Sequence, residues 1–330
     1  MTVAVLLNQN ARKVTAAVRA ELTSFVPPED LYWSRSLAES VTHVKTILAK
    51  GYDTLFLGGG DGTFVGLVNT LQEVLPQDHA DATRWPTIGL LKLGTGNGLC
   101  YDLGIEEGFA HLRRAVGGER LPTRDLPLVS ADGRLTTFAG TGWDAAVIND
   151  FAEWKRHIEN PRLRRWAAGL GGYFYATFFR TIPKERRLAG EITAEFINRT
   201  PVCFRDPFTG QDVSIGKDEV IYKGPISVAG VSTSPYFGYG LKAFPLCTRN
   251  ADLMHLRIVS ASIFQIVSRL PKLWDGTLRH PGIRDHLVRK VDVRLNMPRP
   301  FQIGGDPAGY HMHAAYEISG VRARVIDLSR

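Results

Sequence analysis

No apolar run in the sequence approaches the roughly 20 residues that a membrane-spanning helix requires. Cysteine is scarce: Cys100, Cys203 and Cys247 are odd in number and widely spaced, which argues against a disulfide framework and for a reducing cytoplasm. Zinc-finger spacing, internal repeats, low-complexity tracts and a basic helix of nucleic-acid-reading character are all missing, so no nucleic acid partner is expected. The opening MTVAVLLNQNARK lacks the basic start and the apolar length of a secretion signal, and reads as a first β-strand. What is present, 44% hydrophobic and 22% charged residues over 330 positions, describes a globular chain long enough for two domains. A net charge of +7 draws polyanions or anionic membrane to the surface without choosing among nucleic acid, phospholipid and a phosphate-bearing small ligand.

Residues 1–125 alternate short apolar runs with amphipathic stretches. VAVLLN (3–8), DLYW (30–33), DTLFLGG (53–59) and TIGLLKLG (87–94) have strand character. Between and after them, RKVTAAVRAELTSF (12–25), SLAESVTHVKTILAKG (36–51), TFVGLVNTLQEVL (63–75) and FAHLRRAV (109–116) carry helical spacing. That alternation predicts a doubly wound, Rossmann-like parallel sheet covered on both faces. From 126 to 330 strand-like segments follow one another, from RLTTFAGTG (134–142) to AYEISGVRARVIDL (315–328), with helical stretches near 150–182 and 261–276. This half predicts a second domain, a β-sandwich. The last residues of the chain are free to return to the first domain.

Two glycine turns carry the chemistry. DTLFLGGGDGTFVGLVN (53–69) sets five glycines around Asp61. Glycines at a strand end let backbone N–H groups approach an anion closely, and the following helix offers its positive end to the same anion. Neither a Walker A loop nor a GxGxxG fingerprint fits. A carboxylate beside phosphate needs a divalent cation between them or a proton to handle; the alternative is a tight turn with Asp61 capping the helix. LLKLGTGNGLCYDLG (90–104) forms the second turn, with Gly94, Gly96 and Gly98 for close approach and Thr95 and Asn97 to bond phosphate or ribose. Such turns at the ends of successive strands belong at the crevice of a doubly wound sheet.

With LNQNARK (7–13), GGDGT (59–63), LGTGN (93–97), GTGWDAAV (140–147) and QIGGDP (302–307) in this order, the chain resembles the diacylglycerol kinase catalytic family, which includes bacterial lipid kinases and sphingosine kinases and is distantly related to NAD kinases. The resemblance implies ATP as donor, Mg²⁺, a lipid hydroxyl as acceptor, and a cleft between the α/β domain and the β-sandwich, which contributes the acceptor site. It implies that Gly59, Gly60, Asp61, Gly62 and Thr63 line the phosphates, with Asp61 near the Mg²⁺. Gly94, Thr95 and Asn97 then hold the nucleotide from the second turn and Asn8 from the first loop. Ser34, or failing it Ser36, stands where the family has a nucleotide-contacting threonine. Asp306 stands where the family has its glutamate base, with a side chain shorter by one C–C bond, roughly 1.5 Å.

Some positions depart from the family. Val65-Gly66 replaces Asn-Glu, Gly98 replaces an aspartate, and Lys92 replaces a proline. In PLCTRNADLM (245–254) the Asp-Gly that would hold a structural metal is Ala251-Asp252, which leaves Asp252 as a substitute ligand. Lys92 either adds charge near the phosphates or faces solvent. His311 and His313 share one face of a strand without a third metal ligand of suitable spacing. Between 154 and 187 Lys and Arg interleave with Trp, Tyr and Phe, which suits either an anionic membrane interface or a helix packed on the sandwich with a solvated basic face.

The expectation is an ATP-dependent lipid kinase, cytoplasmic and peripherally membrane-associated, acting on diacylglycerol or a sphingoid or ceramide-like lipid. A kinase of a soluble acceptor and a nucleotide-binding regulator without catalysis are the alternatives. Oligomeric state is left open, a homodimer included.

Overall fold

A computed structural model of the chain describes residues 2–76, 85–158, 175–188, 190–206, 209–247 and 251–329. In the first domain β1 (Val3–Asn8), β2 (Leu31–Ser34), β3 (Thr54–Gly59) and β4 (Thr87–Lys92) lie parallel in the order β4-β3-β1-β2. Alternate residues of β1 feed opposite faces of the sheet. Ala4 and Leu6 join one core with residues of α2 (Leu37–Lys50) and α3 (Asp61–Val74). Val3, Val5 and Leu7 join a second core with α1 (Ala16–Thr23) and α5 (Ala110–Val116). The expected doubly wound domain is therefore present, with a short α4 (Gly98–Asp102) after the second glycine turn.

Local chemistry sets the helix ends. Helix α1 begins four residues later than its periodicity predicts, because the Thr15 side chain accepts the Val18 N–H and fixes the start there. Ser36 caps α2 through the Glu39 N–H, and Gly51 ends it in the left-handed conformation at φ +70°. The positions that matter for binding are the carboxyl ends of the strands, where Asn8, Ser34, Gly59 and Lys92 all fall.

The second half is a sandwich folded from a sheet continuous with the first. Strand β5 (Thr123–Ala131) leads through β6 (Arg134–Thr136) to β7 (Phe138–Gly142), which passes directly into helix α6 (Trp143–Arg156). Strands β8 (Thr193–Asn198), β11 (Val220–Pro225), β12 (Val228–Ser232), β13 (Met254–Val259) and β14 (Ile283–Val288) follow, then the long β15 (Lys290–Ile303) and β16 (Asp306–Ile326). One end of β15, Val291–Leu295, pairs with β8, and the other, Phe301–Ile303, pairs with β7. A register irregularity between Arg294 and Arg299 marks the bend, so this strand serves both layers. Phe196, Val231, Leu256, Val291, Phe301 and Tyr316 meet in the core between them. Strand β16 then runs on into the first domain, where Val325 pairs parallel with Ile88 of β4.

Three segments differ from expectation. Strands β9 (Val202–Arg205) and β10 (Asp212–Ile215) form a separate two-stranded ribbon. The helical stretch expected at 150–182 is α6 on one side and, on the other, a π-type turn at Ala176–Thr181 running into a helix at Ile182–Arg187; residues 159–174 of that reading lie outside the described residues. The stretch at 261–276 is two short helices, Ile263–Val267 and Leu270–Trp274, the second beginning at Pro271 within its first turn.

Candidate active site

A cavity of about 830 Å³ opens at the carboxyl ends of β1, β2 and β3. The first glycine turn lines it through Gly60, Gly62 and Thr63, the second through Gly94 and Thr95, and the second domain through Asp306. Asn8, Ser34 and Ser36 complete the wall, together with Arg12, which sequence reasoning missed. Its only signal was a cation inside the loop LNQNARK.

The two turns lie back to back because neither carries a side chain. A Cβ on Gly94 would sit 2.2 Å from the Gly60 Cα, closer than any real contact. At Gly59 a Cβ would strike Thr63 Oγ1 at 2.3 Å, so that glycine makes room for the threonine rather than for a ligand. Gly62 lies against the second domain: a Cβ there would be 3.2 Å from Asp306 Oδ2. The Asp306 carboxylate thus faces the first turn of α3, where the free N–H groups of the helix start gather. It is presented by a tight hairpin between β15 and β16, whose turn residues Gly304 and Gly305 have φ +61° and +86°. Burial raises its pKa, opposed by the charge of Arg134.

Asp61 turns its carboxylate toward the second glycine turn. Its Oδ2 accepts the Gly98 N–H and its Oδ1 the Leu99 N–H, both at 3.0 Å. The carboxylate therefore caps the start of α4 and ties the first turn to the second. Burial raises its pKa, against the pull of the Leu99 and Gly98 N–H groups. Asn97 likewise turns inward: in the left-handed conformation at φ +50° it donates to the Gly94 carbonyl and accepts the Gly94 N–H, each at 2.9 Å. It shapes the turn and does not line the cavity, whereas Thr95 is exposed into it. Asn8 donates to Thr63 Oγ1 at 3.3 Å and accepts the Asn10 N–H, which fixes the first loop. Ser34 is buried, with Oγ donating to the Leu7 carbonyl.

The remaining candidates fall outside the cavity. Asp252 is ion-paired with Arg322 of β16, a partner that already satisfies its charge. Lys92 Nζ lies 4.0 Å from the Tyr101 ring centre. His311 bonds the Ala308 carbonyl, and no group of three or more His, Cys, Asp or Glu side chains converges among the described residues. The departures from the family have spatial reasons. A side chain at Gly98 would meet the Tyr236 carbonyl at 2.8 Å, because a loop of the second domain packs on the second turn and Tyr239 donates its N–H to Gly96. Gly66 faces open space on the cavity wall.

Within 154–187, Phe178 and Phe179 are 56% and 72% exposed, beside the exposed Arg180, Arg186 and Arg187. The rings of Tyr175 and Phe179 stack at 5.3 Å. No helix among the described residues is long and apolar enough to cross a membrane.

An α/β domain and a sandwich together enclose a glycine-lined cavity with one carboxylate, Asp306, which defines a two-domain fold with its site between strand ends and sandwich. A solved diacylglycerol kinase from Bacillus anthracis str. Sterne has that fold, with a TM-score of 0.60 at 13% identity over 99% of this chain and 97% of the other. Residues 3–124 match the diacylglycerol kinase catalytic domain, the family that the sequence motifs resemble. Among curated relatives, "Probable lipid kinase YegS" of Escherichia coli O127:H6 is 22% identical over 289 residues, covering 87% of this chain and 83% of that protein. The protein of the same description from Salmonella typhimurium LT2 is 22% identical over 280 residues, covering 83% and 79%.

Proposed function

We propose that this protein transfers the γ-phosphate of ATP to the hydroxyl of a membrane lipid, diacylglycerol or a sphingoid or ceramide-like alcohol. One observation carries the reading: Asp306 of the second domain stands against the first turn of α3, so a proton acceptor and a phosphate-binding helix start share one wall of the cavity. The volume, about 830 Å³, is in the range of cofactor sites.

Backbone N–H groups at the start of α3, with Arg12 and Thr95, would hold the triphosphate and stabilise charge as it shifts to the transferring oxygens. Asp306 would accept the proton of the lipid hydroxyl as the new phosphorus–oxygen bond forms, and its raised pKa brings it closer to the proton it must take. A Mg²⁺ ion would travel on the triphosphate and neutralise its oxygens. The phosphates and water suit it as ligands, since it keeps several waters in such sites and Asp61 has both oxygens bonded to backbone. Phe178 and Phe179 with their arginine neighbours support peripheral contact with anionic bilayers. Residues 1–125 would serve the nucleotide and 126–330 the acceptor.

The test is transfer of labelled phosphate from ATP to a membrane-lipid extract presented in vesicles. Asp306→Asn is expected to lower kcat by about 10²- to 10⁴-fold while ATP binding, followed by calorimetry, stays within a few-fold. Wild-type rates in that variant would reject Asp306 as the base. ATP binding with no lipid labelled would leave a nucleotide-binding regulator.

A further inference from the structure

Outside the cavity the second domain holds a set of buried polar atoms that find no partner: Trp143 Nε1, Asp144 Oδ1, Glu185 Oε1, Arg299 Nε and the Tyr316 hydroxyl. They belong together. Asp144 senses the charge of Glu185 and the amide of Gln302, Tyr316 senses Asp144, and Arg299 is ion-paired with Glu185.

Gln302 links this set to the cavity. It is 1% exposed on β15, and its Oε1 accepts the Gly305 N–H at 3.0 Å, one residue before Asp306. Its amide nitrogen end is left for Asp144, at the first turn of α6. Neighbouring bonds hold the same stretch of β15 to β7 and α6: Thr141 Oγ1 donates to the Pro300 carbonyl at 2.8 Å, and Asn149 Nδ2 to the Phe301 carbonyl at 3.1 Å. Gly304 donates to the Phe138 carbonyl at 2.8 Å. The turn carrying Asp306 is therefore anchored by the Gln302 side chain together with the Gly304 N–H, and the Gln302 amide acts on the Asp144 carboxylate.

We infer that Asp144 and Gln302 are positioning residues, which fix the Gly304–Gly305 turn so that the Asp306 carboxylate meets the acceptor hydroxyl. This rests on the reading of Asp306 as the base. Asp144 does not line the cavity, so its effect on the turn runs through Gln302. Its burial makes it a poor choice for stability: the desolvated carboxylate is pushed up to about 7, against the backbone N–H groups at the helix start and the Gln302 amide, and Glu185 adds to the rise. A purely structural site would be better served by asparagine. A misplacement of about 1 Å at a reacting group costs on the order of 10²-fold in rate.

The experiment measures kcat, KM for ATP and thermal midpoint together for wild type, Asp306→Asn, Asp144→Asn, Gln302→Leu, Gln302→Glu and the exchange pair Asp144→Asn with Gln302→Glu. Asp144→Asn is expected to melt higher than wild type at pH 8 yet turn over at least tenfold more slowly, with KM for ATP unchanged. Gln302→Leu loses rate in the same way. In the exchange pair the asparagine amide can donate to the carboxylate introduced at position 302, which still accepts the Gly305 N–H, so turnover recovers toward wild type relative to Gln302→Glu alone. A more stable Asp144→Asn enzyme with wild-type kcat would overturn the inference, and so would an exchange pair no faster than Gln302→Glu. Wild-type rate in Asp306→Asn would instead remove the base itself, a failure these variants keep separate.

Discussion

The two domains treat buried polarity in opposite ways. In residues 1–125 one described side chain, Arg124, leaves a buried nitrogen unpartnered, and Asp61 and Asn97 spend their polar atoms on backbone groups of the glycine turns. Every such orphan among the described residues lies at Arg124 or beyond. The first domain is a cradle whose binding groups are backbone, so its side chains can be fully occupied in shaping it. The second domain must place a proton acceptor on a hairpin, and the groups that hold the hairpin keep unused capacity. Unsatisfied buried groups are costly, so where they cluster they point to function.

The sharpest break of that comparison lies inside the second domain, between two buried carboxylates. Asp285 bonds His255 at 2.9 Å and takes a bidentate fork from Arg257 at 2.7 and 3.0 Å. Burial pushes its pKa up, but the His255 hydrogen bond and the Arg257 charge outweigh it and hold the group well below the usual range. Its stabilisation is therefore complete above about pH 4, the unfolded value, and is lost as pH falls toward the folded one. Asp285→Asn leaves Arg257 buried with half its partner, and is expected to lose about 3–5 kcal/mol at pH 7. Chemical denaturation should show that deficit shrinking below pH 4. A deficit unchanged in acid would contradict the ion-pair account.

Asp144 has the reverse sign. Its folded pKa, about 7, lies above the unfolded value, so the native state holds an extra proton between roughly pH 4 and 7 and stability falls as pH rises through that window. Above pH 7 the penalty is full, about 4 kcal/mol for some three units. Asp144→Asn should gain a large part of that at pH 8 and little at pH 4.5. Glu185, Tyr316 and the Arg299 ion pair face the group, and the Glu185 charge makes the gain steeper. Equal gains at both pH values would mean that the carboxylate does not titrate there.

Asp61→Asn tests the closed side of the comparison. An asparagine offers one acceptor where two N–H groups, Gly98 and Leu99, now each have an oxygen, and its amide would oppose the other N–H. The expected cost is about 1–3 kcal/mol for the orphaned donor, with ATP affinity falling because the second turn loosens. A stable variant that binds ATP normally but needs far more Mg²⁺ would assign Asp61 a metal role in place of this capping one.

These residues also show how far the sequence could be read. The glycine turns were legible because their chemistry is local: a strand end, two or three residues without Cβ, then a helix. The direction of Asp61 was not, since its partners come 37 and 38 residues later and only the folded packing of the two turns brings them near. Asp306 was found through its place in QIGGDP, yet Gln302 in the same motif passed unnoticed, because its partner Asp144 sits in another element 158 positions earlier. The sandwich was legible as a succession of strands. Its continuity with the first sheet was legible only as a return of the last residues to the first domain; the pairing partner was not, because alternation along one strand says nothing of its neighbours.

Gly66 gives the smallest effect and separates fold from ligand most cleanly. It lies within α3, its added Cβ would meet nothing within 4 Å, and it lines the cavity. Helix propensity alone predicts that Gly66→Ala gains about 0.5–1 kcal/mol, since the unfolded chain loses freedom and the folded one suffers no contact. The new methyl group points into space that the proposed nucleotide would share. The thermal midpoint of the empty protein should therefore rise by a few degrees, while the further rise on adding ATP stays the same or shrinks. If the gain without ATP were absent, the space at this position is not open as described. If ATP stabilised the variant more than wild type, the nucleotide would be using the methyl as a contact, and the wall of α3 would lie nearer the base or ribose than to the phosphates.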